Sequence, residues 1–146
     1  MPGVTNPAEP FFKDGAWGWD LTEWHKLPMV WGYSAPAGEQ LYDAASAGGN
    51  VTLQGTAVPA GQLWVIETIC CTDRDTVTTY NLISCIAAAG TIMLDESVQP
   101  AADRYTFWSG RLTLAAGHKV QVVFYGTVLN DRLLVRYSGY KMYIAE

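Results

Sequence analysis

Histidine, cysteine and charge are all scarce in this chain of 146 residues, which has two histidines, three cysteines and 16% charged residues. His25 and His118 stand alone, and no CxxC or HxxxH spacing supplies the full Cys and His set that a structural zinc needs. Nor is there a Cys–His pairing from which to build a nucleophile. We therefore expect neither metal nor cofactor. Basic residues are too few for a nucleic-acid footprint: the net charge is −5, and the excess acid lies in residues 1–50. There Glu9, Asp14, Asp20, Glu23, Glu39 and Asp43 face only Lys13 and Lys26, while residues 51–146 are close to balance. No apolar run approaches the roughly 20 residues of a membrane-spanning helix, so no membrane partner is expected. The opening MPGVTNPAEPFFKDG lacks a basic start and an apolar h-region, so we expect no signal peptide and intracellular synthesis. Asn50-Val51-Thr52 then reads as a chance glycosylation triplet.

What the chain does have is apolar residues, at 49% in all, and an unusual concentration of tryptophan. Four of its six tryptophans fall in WGWDLTEWHKLPMVWGYS, residues 17–34. A buried Trp hides roughly 150–250 Å², so four left in water would exceed the roughly 300–600 Å² of the largest patch on a typical monomer. This stretch must be covered. Three covers are open: the chain's own downstream domain, a neighbouring subunit, or a sugar stacked on the rings.

Taken in order, residues 1–16 hold three prolines and no apolar period, and read as an extended arm with Phe11-Phe12 available as an anchor. Asp20-Leu-Thr-Glu23 matches a capping box and predicts a short helix over 21–27, stopped by Pro28. Residues 29–33 read as a first strand, and 39–50 as a small, glycine-rich connection with a helical turn at Glu39–Ala45. From Val51 the text becomes short β-type runs between turn signals, predicting strands at 51–57, 63–72, 77–88, 91–97, 104–114, 119–126 and 132–143. Val58-Pro-Ala-Gly61 and Leu114-Ala-Ala-Gly117 look like two copies of one turn, each glycine supplying a positive φ. The expected fold is all-β: an antiparallel, jelly-roll-like sandwich of about eight strands when 29–33 is counted, with the sandwich domain at 51–146 and an extended N-terminal arm with one short helix at 1–50.

Leu27-Pro-Met-Val-Trp-Gly-Tyr33, Val58-Pro-Ala-Gly-Gln-Leu-Trp-Val65, Trp108-Ser-Gly-Arg-Leu-Thr-Leu114 with Ala-Ala-Gly117, and Asp131-Arg-Leu-Leu-Val-Arg-Tyr-Ser-Gly-Tyr140 together span most of the chain from residue 27. In these stretches it resembles small virion proteins of tailed bacteriophages, of the capsid decoration or cement type. The resemblance implies a homo-oligomer, a trimer favoured over a dimer, made in the host cytoplasm. On the outer shell of the head it would bind the major capsid protein and bridge capsomers. A receptor- or glycan-binding module of a tail fibre or tip is the alternative, and an enzyme is not expected.

The candidate interface residues are Phe11, Phe12, Trp17, Trp19, Trp24, Trp31 and Tyr33 in the arm, with Arg132 and Arg136 on the last strand. Arg104, Arg111, Arg132 and Arg136 concentrate towards the C-terminal end, and arginine's planar fork suits interface carboxylates. They are therefore candidates to meet the acidic arm of another subunit. Cys70, Cys71 and Cys85, an odd number with two adjacent, read as reduced core residues of a reducing compartment. Asp73-Arg74-Asp75 reads as a solvated loop tip. Asp95 and Glu96, adjacent on a strand, point to opposite faces and make no facing acid–base pair. Trp64 and Trp108 are expected to be partly core, His25 to decorate the short helix, and His118 to sit at a hairpin turn.

Overall fold

The computed structural model describes residues 17–19, 24–26, 35–44 and 48–143, with side chains for 36–41 and 48–143. A two-stranded antiparallel hairpin joins β1 (Trp17–Trp19) to β2 (Trp24–Lys26). Then come β3 (Ala35–Ala44), β4 (Gly49–Gln54), β5 (Gln62–Asp73), β6 (Tyr80–Ala87), β7 (Gly90–Ser97), β8 (Thr106–Leu114), β9 (Lys119–Thr127) and β10 (Arg132–Tyr143). These eight form two antiparallel four-stranded sheets, ordered β3-β10-β5-β8 and β4-β9-β6-β7.

The order has a simple origin. Strands pair β3 with β10, β4 with β9, β5 with β8 and β6 with β7, as in one long hairpin whose tip is the β6–β7 turn. Rolling that ribbon over itself adds the β10–β5 and β9–β6 ladders and closes a jelly roll. The driving force is the alternation along each strand. Val120, Val122 and Phe124 of β9 point inward with Ile83 and Cys85 of β6, against Ile66, Ile69 and Cys71 of β5 and Leu133, Val135 and Tyr137 of β10. Each fully buried aliphatic of this kind contributes roughly 1.5–3 kcal/mol relative to exposure. Trp64 and Trp108 pack against this core partly buried, as expected.

The two similar turns come together in space. Val58 N–H donates to the His118 carbonyl and Gly117 N–H to the Val58 carbonyl, both at 2.8 Å. Gly61 and Gly117 hold φ of 73° and 83°, as their turns require.

Two expectations are corrected. Trp24–Lys26 is a strand, not helix: Trp19 faces Trp24 and Trp17 faces Lys26 across the hairpin. A helix of seven residues is too short to recover its nucleation cost, and the aromatic residues favour a pleated surface. The second correction concerns Glu39–Ala45. Ala35–Ala44 is not a connection with a helical turn but the eighth strand of the sandwich, paired with β10 from Arg132↔Ala44 to Lys141↔Ala35. Pro36 is tolerated because β3 is an edge strand. The strand expected at 29–33, like Phe11, Phe12, Trp31 and Tyr33, lies outside the described residues.

A further contact secures β3 to the loop after β4. The Glu39 carboxylate accepts the Tyr137 hydroxyl, the Thr56 amide at 2.8 Å and the Thr56 hydroxyl at 3.1 Å. Burial alone would raise the Glu39 pKa, but these hydrogen bonds hold it below the usual carboxylate value. Burial, and then the carboxylate itself, push Tyr137 up.

Candidate functional site: the outer sheet face and the loop end

Ile69 and Cys71 of β5, with Val135 and Tyr137 of β10, belong to the core, so alternation turns Thr68, Cys70, Arg136 and Ser138 outward. The registers extend these into rows across all four strands. One row runs Gln40, Arg136, Cys70, Phe107. The next runs Gly38, Ser138, Thr68, Ser109 and consists only of small residues. Beyond it lie Pro36, Tyr140, Val65 and Thr113.

Small residues between two taller rows make a trough. At its β3–β10–β5 end is an open hollow of about 360 Å³, lined by residues including Gln40, Cys70, Arg136 and Ser138. Two arginines border the face in fixed poses. Arg136 Nε donates to Gln40 Oε1 at 2.9 Å, and Arg111 Nη2 donates to the Tyr140 hydroxyl at 2.9 Å. Thr68 and Ser138 share a hydrogen bond of 2.7 Å. Phe107 stands at the end of the first row, 71% exposed. The signal that finds it is alternation: with Trp108 packed on the core, its neighbour must face out. Cys70 therefore differs from the expectation of three core cysteines. It looks outward and is half-buried, whereas Cys71 and Cys85 are buried, because adjacent residues of a strand cannot share a face.

The second cluster sits at one end of the sandwich, where the β5–β6, β7–β8 and β9–β10 loops meet. Asp73 is not part of a solvated tip; it is buried, and so are Asp131 and Gln99. Asp73 Oδ1 accepts the amides of Asp75 and Thr76 at 2.9 and 3.0 Å. Asp131 Oδ2 accepts the Val128 amide and the Thr76 hydroxyl. Asp75 is clamped by Arg132, whose Nη2 lies 2.6 Å from Oδ1 and whose Nε lies 3.0 Å from Oδ2. The three carboxylates offer oxygens within 4.8 Å of one another, the arrangement a cation would use. Most of those oxygens already accept hydrogen bonds from the protein, so the trio is accounted for as the knot that closes three loops.

Electrostatics divides these groups. Burial first, and then the neighbouring Asp131, raise the Asp73 pKa, against the two amides that lower it. Arg132 holds exposed Asp75 down to about 2. The signs are opposite. Asp75 and Glu39 add stability that is present above the ordinary carboxylate value and lost as pH falls through their depressed ones. Asp73, titrating above its unfolded value, costs stability at neutral pH, a cost relieved as pH falls through its raised one. Asp73→Asn keeps the acceptor for both amides and turns an N–H towards Asp131. We expect a higher urea midpoint than wild type at pH 7 and a gap that closes on acidification. Equal midpoints at pH 7 would mean that the hydrogen bonds already offset the burial.

Of the sequence candidates, Arg111 and Arg136 share the outer face of one sheet. Arg132 is at the loop end with Asp75, and Arg104 is in the β7–β8 loop. Trp17, Trp19 and Trp24 fall on the β1–β2 hairpin. Asp95 and Glu96 are consecutive on β7, opposite Ile83 and Leu82. His118 lies in the turn before β9, with Nε2 and Nδ1 each 3.4 Å from a backbone amide nitrogen, of Ala88 and Ala115 respectively.

No protein-family model matches the sequence, and no curated protein is similar to it in sequence. Among solved structures, a chain of infectious bursal disease virus, Gx strain, is similar at 10% identity and a TM-score of 0.29, over 75% of this chain and 32% of that one. A chain of the Gt strain is similar at 10% identity and the same TM-score of 0.29, over 88% of this chain and 48% of that one. The chain thus spans between about a third and a half of those viral chains, and the likeness is slight.

Proposed function

We propose that this chain is a virion structural protein of the capsid decoration type, a homo-oligomer that binds the outer shell of a phage head and bridges its capsomers. The observation that carries the reading is the open sheet face: Phe107, the most exposed large hydrophobic among the described residues at 71%, stands beside a hollow bordered by Arg136. A large exposed aromatic next to an arginine is the composition of an interface anchor. The Trp-rich N-terminal stretch and the resemblance to decoration proteins point the same way. The work is mechanical and no bond is made or broken: area buried over several capsomers raises the cost of separating them. Its partners are then other copies of itself, a trimer before a dimer, and the major capsid protein, on the surface of a virion assembled in the host cytoplasm.

A glycan-binding module of a tail fibre is the second reading, favoured by the row of hydroxyls at Ser109, Thr68 and Ser138 beside an exposed ring. Sedimentation with undecorated phage heads separates the two. The first reading expects saturable pelleting of the full chain with heads and a Phe107→Ser variant that binds at least tenfold more weakly. No pelleting with heads, together with tryptophan fluorescence that shifts on adding glycans, would overturn it in favour of the second.

A further inference from the structure

We infer that the free edge of β7 pairs antiparallel with β7 of a second copy, joining two four-stranded sheets into one of eight strands. The inference rests on the assembly reading above and names one of its contacts. β7 ends its sheet: it is paired with β6 on one side, and no hydrogen bond from the described residues reaches the other. Pairs along an antiparallel ladder alternate between exchanging hydrogen bonds and exchanging none, so every second residue of β7 turns its N–H and C=O to that open side. Such a row is a template for another strand, and edges that stay single are blunted by proline, charged side chains or bulges. The other edges have these devices: β3 carries Pro36, β8 carries Arg111 at a register shift, and β4 is bulged between Gly49 and Val51. In β7 the bulge and the acids are confined to its far end, from Leu94 on, and Gly90–Met93 has none of them.

The side chains point to what lies beyond the edge. Ile92 shares a cross-strand row with Cys85 of β6 and Val120 of β9. Those two are core residues, each 1% exposed, so Ile92 is turned to the core side of the sheet, yet it is 50% exposed because β7 is the last strand. Met93, on the opposite side, is 61% exposed. A second β7, running antiparallel about a twofold axis at Ile92, supplies the neighbour. Ile92 then meets Ile92 of the second copy, and Thr91 of each copy meets Met93 of the other, with Cα atoms roughly 4.5–5.5 Å apart. The same register keeps like charges from meeting. Asp95 and Glu96 of each copy pass the uncharged Ala88-Ala89 turn of the other, at the end of the sheet where Lys119 is in register with Ile86 and Thr91. A second copy of this chain is therefore the occupant that the edge fits. β8, the last strand of the other sheet, lies against β7 on the same side of the sandwich, so the two copies close an apolar seam.

The test is the molar mass of the full chain by light scattering, with a covalent trap across the seam. A twofold contact makes pairs, so wild type is expected at an even multiple of 16.0 kDa. Ile92→Lys sets two unpaired charges face to face in the seam and should weaken association by roughly tenfold or more. Unchanged far-ultraviolet dichroism would show that this variant still folds, as a half-exposed side chain should allow. Thr91→Cys/Met93→Cys places two thiols opposite each other across the two copies and should give a covalent dimer under mild oxidation, whereas Thr91→Cys alone should not. An oligomer of odd order, or one whose mass is unchanged in Ile92→Lys, overturns the β7 pairing while leaving the assembly reading in place. So does a double cysteine variant that yields no more covalent dimer than the single one. A wild-type mass of 16.0 kDa at every concentration overturns both, and a urea midpoint lowered in Ile92→Lys would then mark a segment of the same chain as what covers the edge.

Discussion

Gly139→Ala is expected to take most of the protein's stability with it. Gly139 lies on β10 where the β10–β5 ladder shifts register, opposite Ile66 with Glu67 bulged out. A Cβ there would stand 1.9 Å from the Val65 carbonyl oxygen and 2.9 Å from both Val65 C and Ile66 Cα. All three atoms are backbone, so no side chain can swing aside. β5 and β10 are the two central strands of their sheet, each paired on both sides, and a shift in one must pass into its neighbours. Overpacking typically costs about 1–3 kcal/mol where side chains can adjust. With rigid backbone on the far side we expect about 4 kcal/mol, a large share of the roughly 5–15 kcal/mol that holds a domain of this size. The urea midpoint should fall by about 2 M. Ser138→Ala, one residue away on the exposed face, is the control and should move the midpoint little. Equal midpoints for the two variants would mean that the strands separate at the bulge more easily than this packing implies.

The second large effect is expected at Gln99, a buried side chain of the β7–β8 loop that ties this loop to the end of β5 at the acidic end. Its Oε1 accepts the Asp73 amide at 2.8 Å, and its Nε2 donates to the Asp73 and Ala101 carbonyls, both at 2.7 Å. Gln99→Leu preserves much of the volume but deletes all three bonds, and leaves the Asp73 amide buried without that acceptor. Each buried group so stranded costs about 1–3 kcal/mol. The Asp73 carbonyl keeps the Asp103 amide at 2.9 Å, which limits the total. We expect a loss of about 3 kcal/mol by urea unfolding. Gln99→Glu separates the contributions, because it keeps the acceptor, loses both donors and adds a carboxylate beside Asp73. Its deficit should shrink as pH falls and the new carboxyl gains a proton that it can donate. A Leu variant within about 0.5 kcal/mol of wild type would mean that the latch does not hold the loops.

The contrast between what the sequence announces and what it hides follows from where the determining forces act. β9 and β10 are legible because Val120, Val122 and Phe124 fall on every second position, and because the buried Val135 and Tyr137 alternate with the exposed Arg136 and Ser138. β3 is hidden. Ala35-Pro-Ala-Gly-Glu-Gln-Leu-Tyr-Asp-Ala44 has the residues of a turn, and its strand state comes from ten paired positions on β10, a tertiary cause no local pattern carries. Asp73 reads as exposed because an Asp-Arg-Asp run usually is. Its burial depends on Gln99 and Asp131, 26 and 58 positions away, arriving over it.

The outer sheet face has the same character. Gly38, Ser138, Thr68 and Ser109 are dispersed through the chain and become a row only through registers that include shifts in β5 and β10. Arg136 and Arg111 were visible as charges; that they border one trough was not. Phe107 needed only the inward assignment of Trp108 to be read as exposed.

Self-association of the intact chain is the centre of the account, and molar mass by light scattering across a range of concentrations tests it most directly. Each copy weighs 16.0 kDa, so the account predicts a stable species at a whole multiple of that mass, near 32 kDa or above, and a shift to a lower multiple when Ile92 is replaced by Lys. A mass of 16.0 kDa at all concentrations would contradict it.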